Sequence, residues 1–186
     1  MKRCLGTSGA RALGLLTDFL GDGDLAAAFN GKWHANVAAA LTDGVALKRT
    51  VRATLAALAS AGHRMAVVTS THEAPARRHL QQAGLLAHFE VVTGGDQVSA
   101  NKPDPAPYRE TAAALGLDPA RCAAFEDSDP GITAATQAGW RAVQVPDVRP
   151  AHAPLPDLGQ QVASTVWEAV ALFGVLPKDQ TNAVAS

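Results

Sequence analysis

The sequence predicts an α/β fold: a Rossmann-like parallel sheet covered by helices on both faces, with a purely helical segment in front of it. Three observations predict it. From Val45 onward, short apolar runs alternate with helical patterns, the rhythm of strand–helix–strand units. The first 45 or so residues carry helical spacing alone. Polar groups able to do chemistry, Thr69, Lys102 and the Glu126-Asp127 pair, stand at or just beyond the ends of apolar runs, where open α/β sheets bind ligands. With 186 residues, 47% of them apolar, the chain is long enough for one well-buried core and a small accessory lobe.

The elements follow in order. Ser8 is placed to cap a helix in which Leu13, Leu16 and Leu20 recur, before Gly21-Asp22-Gly23-Asp24 breaks it. Leu25, Phe29, Trp33, Val37 and Leu41 then fall four residues apart, so a second helix is expected to turn this stripe, Phe29 and Trp33 included, into a packed interior. Val51, Leu55 and Leu58 mark a helix ending at Ala61-Gly62, and Met65 to Val68 reads as a buried strand. A helix is expected from about Pro75 to Ala83-Gly84, since a proline ring suits a first helical position. Phe89 to Val92 is the next strand, and a helix around Tyr108 to Leu115 stops at Gly116. Cys122 to Phe125 is a third strand, followed by a helix to Ala138-Gly139 and a fourth strand over Arg141 to Val145. The proline-rich stretch from Val145 to Pro156 is a surface connection, Val166 to Phe173 a last helix, and the end from Pro177 a flexible tail.

Composition narrows the function. A net charge of -1 without long runs of like charge argues against nucleic acid or an anionic membrane as partner, so any phosphate handled belongs to a small molecule. Cys4 and Cys122 sit in no metal-type spacing and read as ordinary thiols in a reducing cytoplasm. No stretch of 18 consecutive apolar residues is present, and a monomer or weak homo-oligomer is expected.

The chemistry lies in three places. Thr69 offers a hydroxyl, and the Ser70 and Thr71 amides approach a helix start, which favours phosphate oxygens. Lys102, in Asn101-Lys102-Pro103-Asp104-Pro105, is a compact positive charge held between turn formers. Glu126 and Asp127 directly follow an apolar strand and repel one another unless a cation or a lysine balances them, and Mg2+ is the natural ion. Ser128 reads as a helix cap and Gly131 as an aid to close packing. A receiver-type signalling domain does not fit, because there the acids come before the lysine. A dinucleotide fold does not fit either, because no Gly-x-Gly-x-x-Gly follows the first strand.

Val67-Val68-Thr69-Ser70, then Asn101 to Pro105, then Phe125-Glu126-Asp127-Ser128 through Gly131 with Ala134-Ala135 and Ala138-Gly139, resemble the haloacid dehalogenase (HAD) superfamily, in particular its β-phosphoglucomutase and phosphoglycolate phosphatase-like members. The resemblance implies a partial helical cap over residues 1–45, a HAD-like core over 46–176 and a tail over 177–186, with Gly6-Thr7-Ser8 matching an element ahead of the cap helices. It also implies phosphoryl transfer through an aspartyl-phosphate on a small phosphorylated metabolite, such as a sugar phosphate or phosphoglycolate. Thr69 and Ser70 would hold phosphate oxygens, Lys102 would offset charge, and Asp127 with Glu126 would anchor Mg2+.

One part of that pattern is missing: the apolar strand ending in Asp-x-Asp-Gly that carries the nucleophile. Asp18 in Leu15-Leu16-Thr17-Asp18-Phe19-Leu20 is the nearest imitation, yet its leucines keep helical spacing. In the family that strand lies between the strands ending at Thr69 and Glu126, so the sheet is expected to be split. Each unpaired buried backbone group there costs about 1 to 3 kcal/mol. The expectation is a start internal to a longer gene product or a decayed relative. A catalytically inactive phosphate- or magnesium-binding module is the alternative function.

Overall fold

The computed structural model describes residues 9–42, 44–148 and 153–174. The Ser8 cap, the Gly6-Thr7-Ser8 element, Cys4 and the C-terminal tail lie outside them, as do residues 149–152 of the proline-rich connection. Two helices come first, α1 (Gly9–Leu20) and α2 (Gly23–Ala40), packed on one another as a hairpin. Asp22 caps α2, its Oδ1 accepting from the amides of Asp24 at 2.9 Å and Leu25 at 3.0 Å.

The stripe on α2 does not pack as expected. Leu25, Phe29 and Trp33 remain 54%, 45% and 49% exposed. Ala26 is fully buried, and Asn30 and Val37 are half-buried, which places the inward face of α2 to one side of the stripe. Alanine lets two helices approach closely, and that contact leaves the large side chains outside it.

The α/β part alternates α3 (Val51–Ser60), β1 (Ala66–Val68), α4 (Glu73–Gln82), β2 (Val91–Thr93), α5 (Ala106–Leu115), β3 (Ala123–Glu126), α6 (Asp129–Gln137), β4 (Arg141–Gln144), β5 (Gln161–Val162) and α7 (Val166–Ala171). Its pairings are parallel. Two boundaries moved for identifiable reasons. Helix α4 starts two residues before Pro75 because Asp96 Oδ1, from the loop after β2, accepts the Glu73 amide at 2.7 Å. Strand β2 starts at Val91 because Leu86–His88 forms a 3-10 turn that Phe89 closes. Strand β5, two exposed residues long, carries no apolar run and escaped sequence reading.

The sheet is divided. β1 pairs with β2, while β3, β4 and β5 form a second sheet, and among the described residues no strand joins them. Met65 O and Thr69 N bond to the β2 side, so strand alternation turns the backbone groups of Ala66 and Val68 toward the opposite edge. Cys122 O and Glu126 O bond to the β4 side, so those of Ala123 and Phe125 also face an open edge. The two sheets are held by helices: Tyr108 on α5 packs with Ala124, Ala134, Ala135 and Ala138, against Val68 and Trp140. Trp167 and Val170 of α7 pack on Ala57 of α3, with Phe125 beside them. Among the described residues no helix is long and apolar enough to cross a membrane.

Candidate active site

The chain leaves β1 at Thr69, whose amide donates to Thr93 O at 3.0 Å and so continues the strand pairing. The Thr69 hydroxyl accepts from the Thr71 amide at 3.1 Å, closing a tight turn and keeping its own proton to give. The Thr71 amide, expected to be open to a ligand, is thus taken up within the turn. Gly94 and Gly95 press against that turn. A Cβ on Gly95 would stand 2.6 Å from Ser70 O and 2.8 Å from Asn101 Oδ1, and one on Gly94 would overlap the Glu73 backbone. Asn101 in turn donates through Nδ2 to Gly95 O at 3.1 Å, so the loops after β1 and β2 and the lysine loop are joined.

Lys102 follows from that loop, ahead of a cis peptide to Pro103, and is 6% exposed. Its ammonium donates to Val68 O at 2.9 Å and makes an ion pair with Glu126 Oε1, itself on a residue 7% exposed. One cation thus joins the end of β1, next to Thr69, to the end of β3, across the gap between the sheets. It also satisfies one of the carbonyls that the missing strand pairing leaves open.

Tyr108 completes the cluster, and sequence reading had treated it only as a helix marker. Its hydroxyl donates to the same Glu126 oxygen, its ring lies 5.2 Å from the Lys102 ammonium, and Trp140 packs edge-on against it at 5.0 Å. Burial first, then the charge of Glu126 and the hydrogen bond to it, with Asp127 adding, push the phenol well above its ordinary range, so it stays a donor. A tyrosine six residues after the lysine, in an alanine-rich helix, was the available signal. Gly131 seats the other face of the carboxylate, since a Cβ there would overlap Glu126.

Asp127 is exposed, one residue on, where α6 begins. Ser128 caps that helix as expected, its Oγ accepting from the Gly131 amide at 3.2 Å. Asp129 accepts from Nε2 of the fully buried Gln144 at 3.0 Å, and Gln144 Oε1 accepts from Gln160 at 3.0 Å, which ties α6 to β4 and the strand sequence reading missed. Of the predicted residues, then, Lys102 and Glu126 touch, Thr69 and Ser70 adjoin the carbonyl that Lys102 holds, and Asp127 faces solvent beside Glu126. Asp18 lies exposed on helix α1, as its leucine spacing required, and on no strand. Among the described residues no group of three His, Cys, Asp or Glu side chains gathers.

The arrangement offers a hydroxyl, a buried ammonium and an exposed carboxylate at the carboxyl ends of β1 and β3, suited to a group carrying several negative oxygens. A family model for haloacid dehalogenase-like hydrolases matches residues 7–139. A phosphoglycolate phosphatase of Neisseria meningitidis is 41% identical over 91 residues, covering 49% of this chain and 39% of that protein. The fructose-1-phosphate phosphatase YqaB of Escherichia coli is 41% identical over 81 residues, covering 44% and 43%. The chain therefore spans less than half the length of these relatives in the matched stretches. The crystal structure of β-phosphoglucomutase from Clostridium difficile superposes with a TM-score of 0.70 at 18% identity, covering 90% of this chain and 77% of that one, a likeness of fold.

Proposed function

Because the chain belongs to the haloacid dehalogenase-like hydrolase family, we propose that its site serves Mg2+-dependent phosphoryl transfer from a small phosphorylated metabolite, acting in the cytoplasm. The observation that carries the reading is the Lys102 bridge: a buried ammonium bonded both to the carbonyl next to Thr69 and to Glu126. The names of the relatives, a phosphoglycolate phosphatase and a fructose-1-phosphate phosphatase, support phosphate esters of small acids or sugars as the substrate class.

In this reading residues 1–45 are a partial cap and the α/β part is the catalytic core. Thr69 donates its hydroxyl proton to a phosphoryl oxygen, with the Ser70 segment beside it. Lys102 offsets the charge that accumulates on the phosphoryl group, held in place by Val68 O, Glu126 and the Tyr108 ring. Asp127 and Glu126 suit Mg2+ because both are oxygen donors and Mg2+ is commonly held by one or two carboxylates, the rest being water and phosphate. Glu126 is already engaged by Lys102 and Tyr108, so Asp127 would hold the ion directly and Glu126 would act on it only through water. When bound, the ion would neutralise phosphoryl oxygens.

The attacking carboxylate of the family pattern is not among the described residues, and the reading requires it on a strand filling the gap between β1 and β3. The open edges of Ala66, Val68, Ala123 and Phe125 support that position. A second reading, a module that binds phosphate and Mg2+ without turnover, is favoured by the same absence. A colorimetric phosphate-ester assay separates them when run on the chain alone and on the chain mixed with a peptide strand ending in Asp-x-Asp-Gly. Turnover that appears with the peptide and requires Mg2+ supports the hydrolase. Binding of phosphate with no turnover in either mixture supports the module.

A further inference from the structure

The two oxygens of Glu126 have different surroundings. Lys102 and Tyr108 both donate to Oε1, and among the described residues no other donor reaches the carboxylate. Oε2 lies against Gly131 in the first turn of α6, so closely that a Cβ there would overlap it. We propose that Tyr108 is a positioning residue for the metal: with Lys102 it anchors Glu126 by Oε1, so that Oε2 is presented to the water shell of a Mg2+ held by Asp127. This inference rests on the Mg2+ reading above and adds to it a group that never touches the ion.

Lys102 alone would not fix the carboxylate. The last torsion of a glutamate side chain is broad, so a carboxylate held at one point still turns. An ammonium is a point charge on a flexible stem with rotatable donors, and it serves either oxygen equally well. A tyrosine hydroxyl stands at the end of a rigid ring with few torsions. Here the ring is buried, held edge-on by Trp140 and packed on Ala124 of β3 and Ala134 and Ala135 of α6. The hydroxyl reaches Oε1 from α5, while Lys102 reaches it from the end of β1, where Val68 O also holds the ammonium. Two donors from two elements on one oxygen, with the α6 backbone behind the other, restrict the carboxylate to one orientation. A phenylalanine would fill the same space, and a buried hydroxyl is costly unless bonded, so the bond to Glu126 is what the hydroxyl contributes. Mg2+ keeps several of its waters, and losing a partner that orients an outer carboxylate commonly lowers metal affinity about 10- to 100-fold.

Calorimetric titration of Mg2+ into the full chain in saturating inorganic phosphate tests this with wild type, Tyr108→Phe and Thr111→Val. Thr111 lies one turn along α5, its hydroxyl buried against Thr93 and Pro107 O and away from Glu126, so its loss loosens the same helix without touching the carboxylate. The expected result is a Kd for Mg2+ raised at least about tenfold in Tyr108→Phe and changed by less than about twofold in Thr111→Val. Phosphate affinity without Mg2+ should stay within about twofold in both, since Thr69 and Lys102 remain. Equal Mg2+ affinity in wild type and Tyr108→Phe overturns the proposal, and so does an equal loss in Thr111→Val, which would mark a structural effect. A wild type that takes up no Mg2+ fails the Mg2+ reading itself, and the inference falls with it. Should Tyr108→Phe not fold, the wild type decides: Tyr108 is the chain's single tyrosine, so an isotope label on its phenol carbon gives one NMR resonance. That resonance should move with the calorimetric midpoint as Mg2+ is added, and one that stays fixed while Mg2+ binds overturns the proposal.

Discussion

The Lys102–Glu126 pair allows a quantitative test of how the two halves of the sheet are joined. In Lys102→Met, Glu126 keeps a buried negative charge with the Tyr108 hydroxyl as its remaining partner in the cluster, and Val68 O loses its donor. Breaking a buried pair from one side costs about 3 to 5 kcal/mol, and an orphaned carbonyl about 1 to 3 more. Against a typical stability of about 5 to 15 kcal/mol, this variant is barely folded. Glu126→Gln removes the charge, so adding it to Lys102→Met should recover much of the loss. The coupling free energy in the double-mutant cycle is then at least about 2 kcal/mol. Urea unfolding at neutral pH measures it through tryptophan fluorescence, to which Trp140, packed on Tyr108, and the buried Trp167 contribute. If Lys102→Met is unfolded in water, the recovery appears as regained cooperative unfolding in the double variant. Additivity within about 0.5 kcal/mol would refute the reasoning, because it would mean that neither charge depends on the other.

Other perturbations follow from the same cluster and its surroundings. Gly131→Ala should gain up to about 1 kcal/mol of helix propensity and lose about 1 to 3 to overlap with the Glu126 carboxylate, which Lys102 and Tyr108 hold in place, so urea unfolding shows net destabilisation. Tyr108 is the chain's single tyrosine, and its folded phenol titrates well above the ordinary 10.0. Stability from this group is therefore complete below pH about 10 and is lost as pH rises beyond it, because the unfolded phenol ionises first. Phenolate absorbance should appear together with unfolding, and Tyr108→Phe should flatten the alkaline decline. Thr165 caps α7 by accepting from the Glu168 amide at 3.1 Å; Thr165→Ala should cost about 1 kcal/mol and lower the thermal midpoint.

Much of this was legible in the sequence because each element rests on a local signal. Apolar runs bounded by Gly62, Gly84, Gly116 and Gly139 gave the strand–helix alternation, and the missing strand gave the divided sheet. Lys102 and Glu126 were named from spacing and chemistry, and they meet. What stayed hidden depends on contacts between distant segments. Tyr108 acquires its role only when α5 packs across both sheets, and Asp96 caps a helix more than twenty residues earlier in the chain. Strand β5 has no apolar pattern because it is exposed. The α2 stripe kept its helical spacing, but spacing reports that a face is apolar and not what covers it.

The central claim, that a hydroxyl, an ammonium and an acidic pair form one phosphate- and metal-binding site, is tested most directly by calorimetric titration of inorganic phosphate, with and without Mg2+. Wild type, Thr69→Val and Asp127→Asn serve as the three samples, since neither substitution removes a buried charge. The account predicts phosphate binding that Mg2+ strengthens, weakened at least tenfold in Thr69→Val and made insensitive to Mg2+ in Asp127→Asn. Phosphate binding of equal strength and equal Mg2+ response in all three would contradict it.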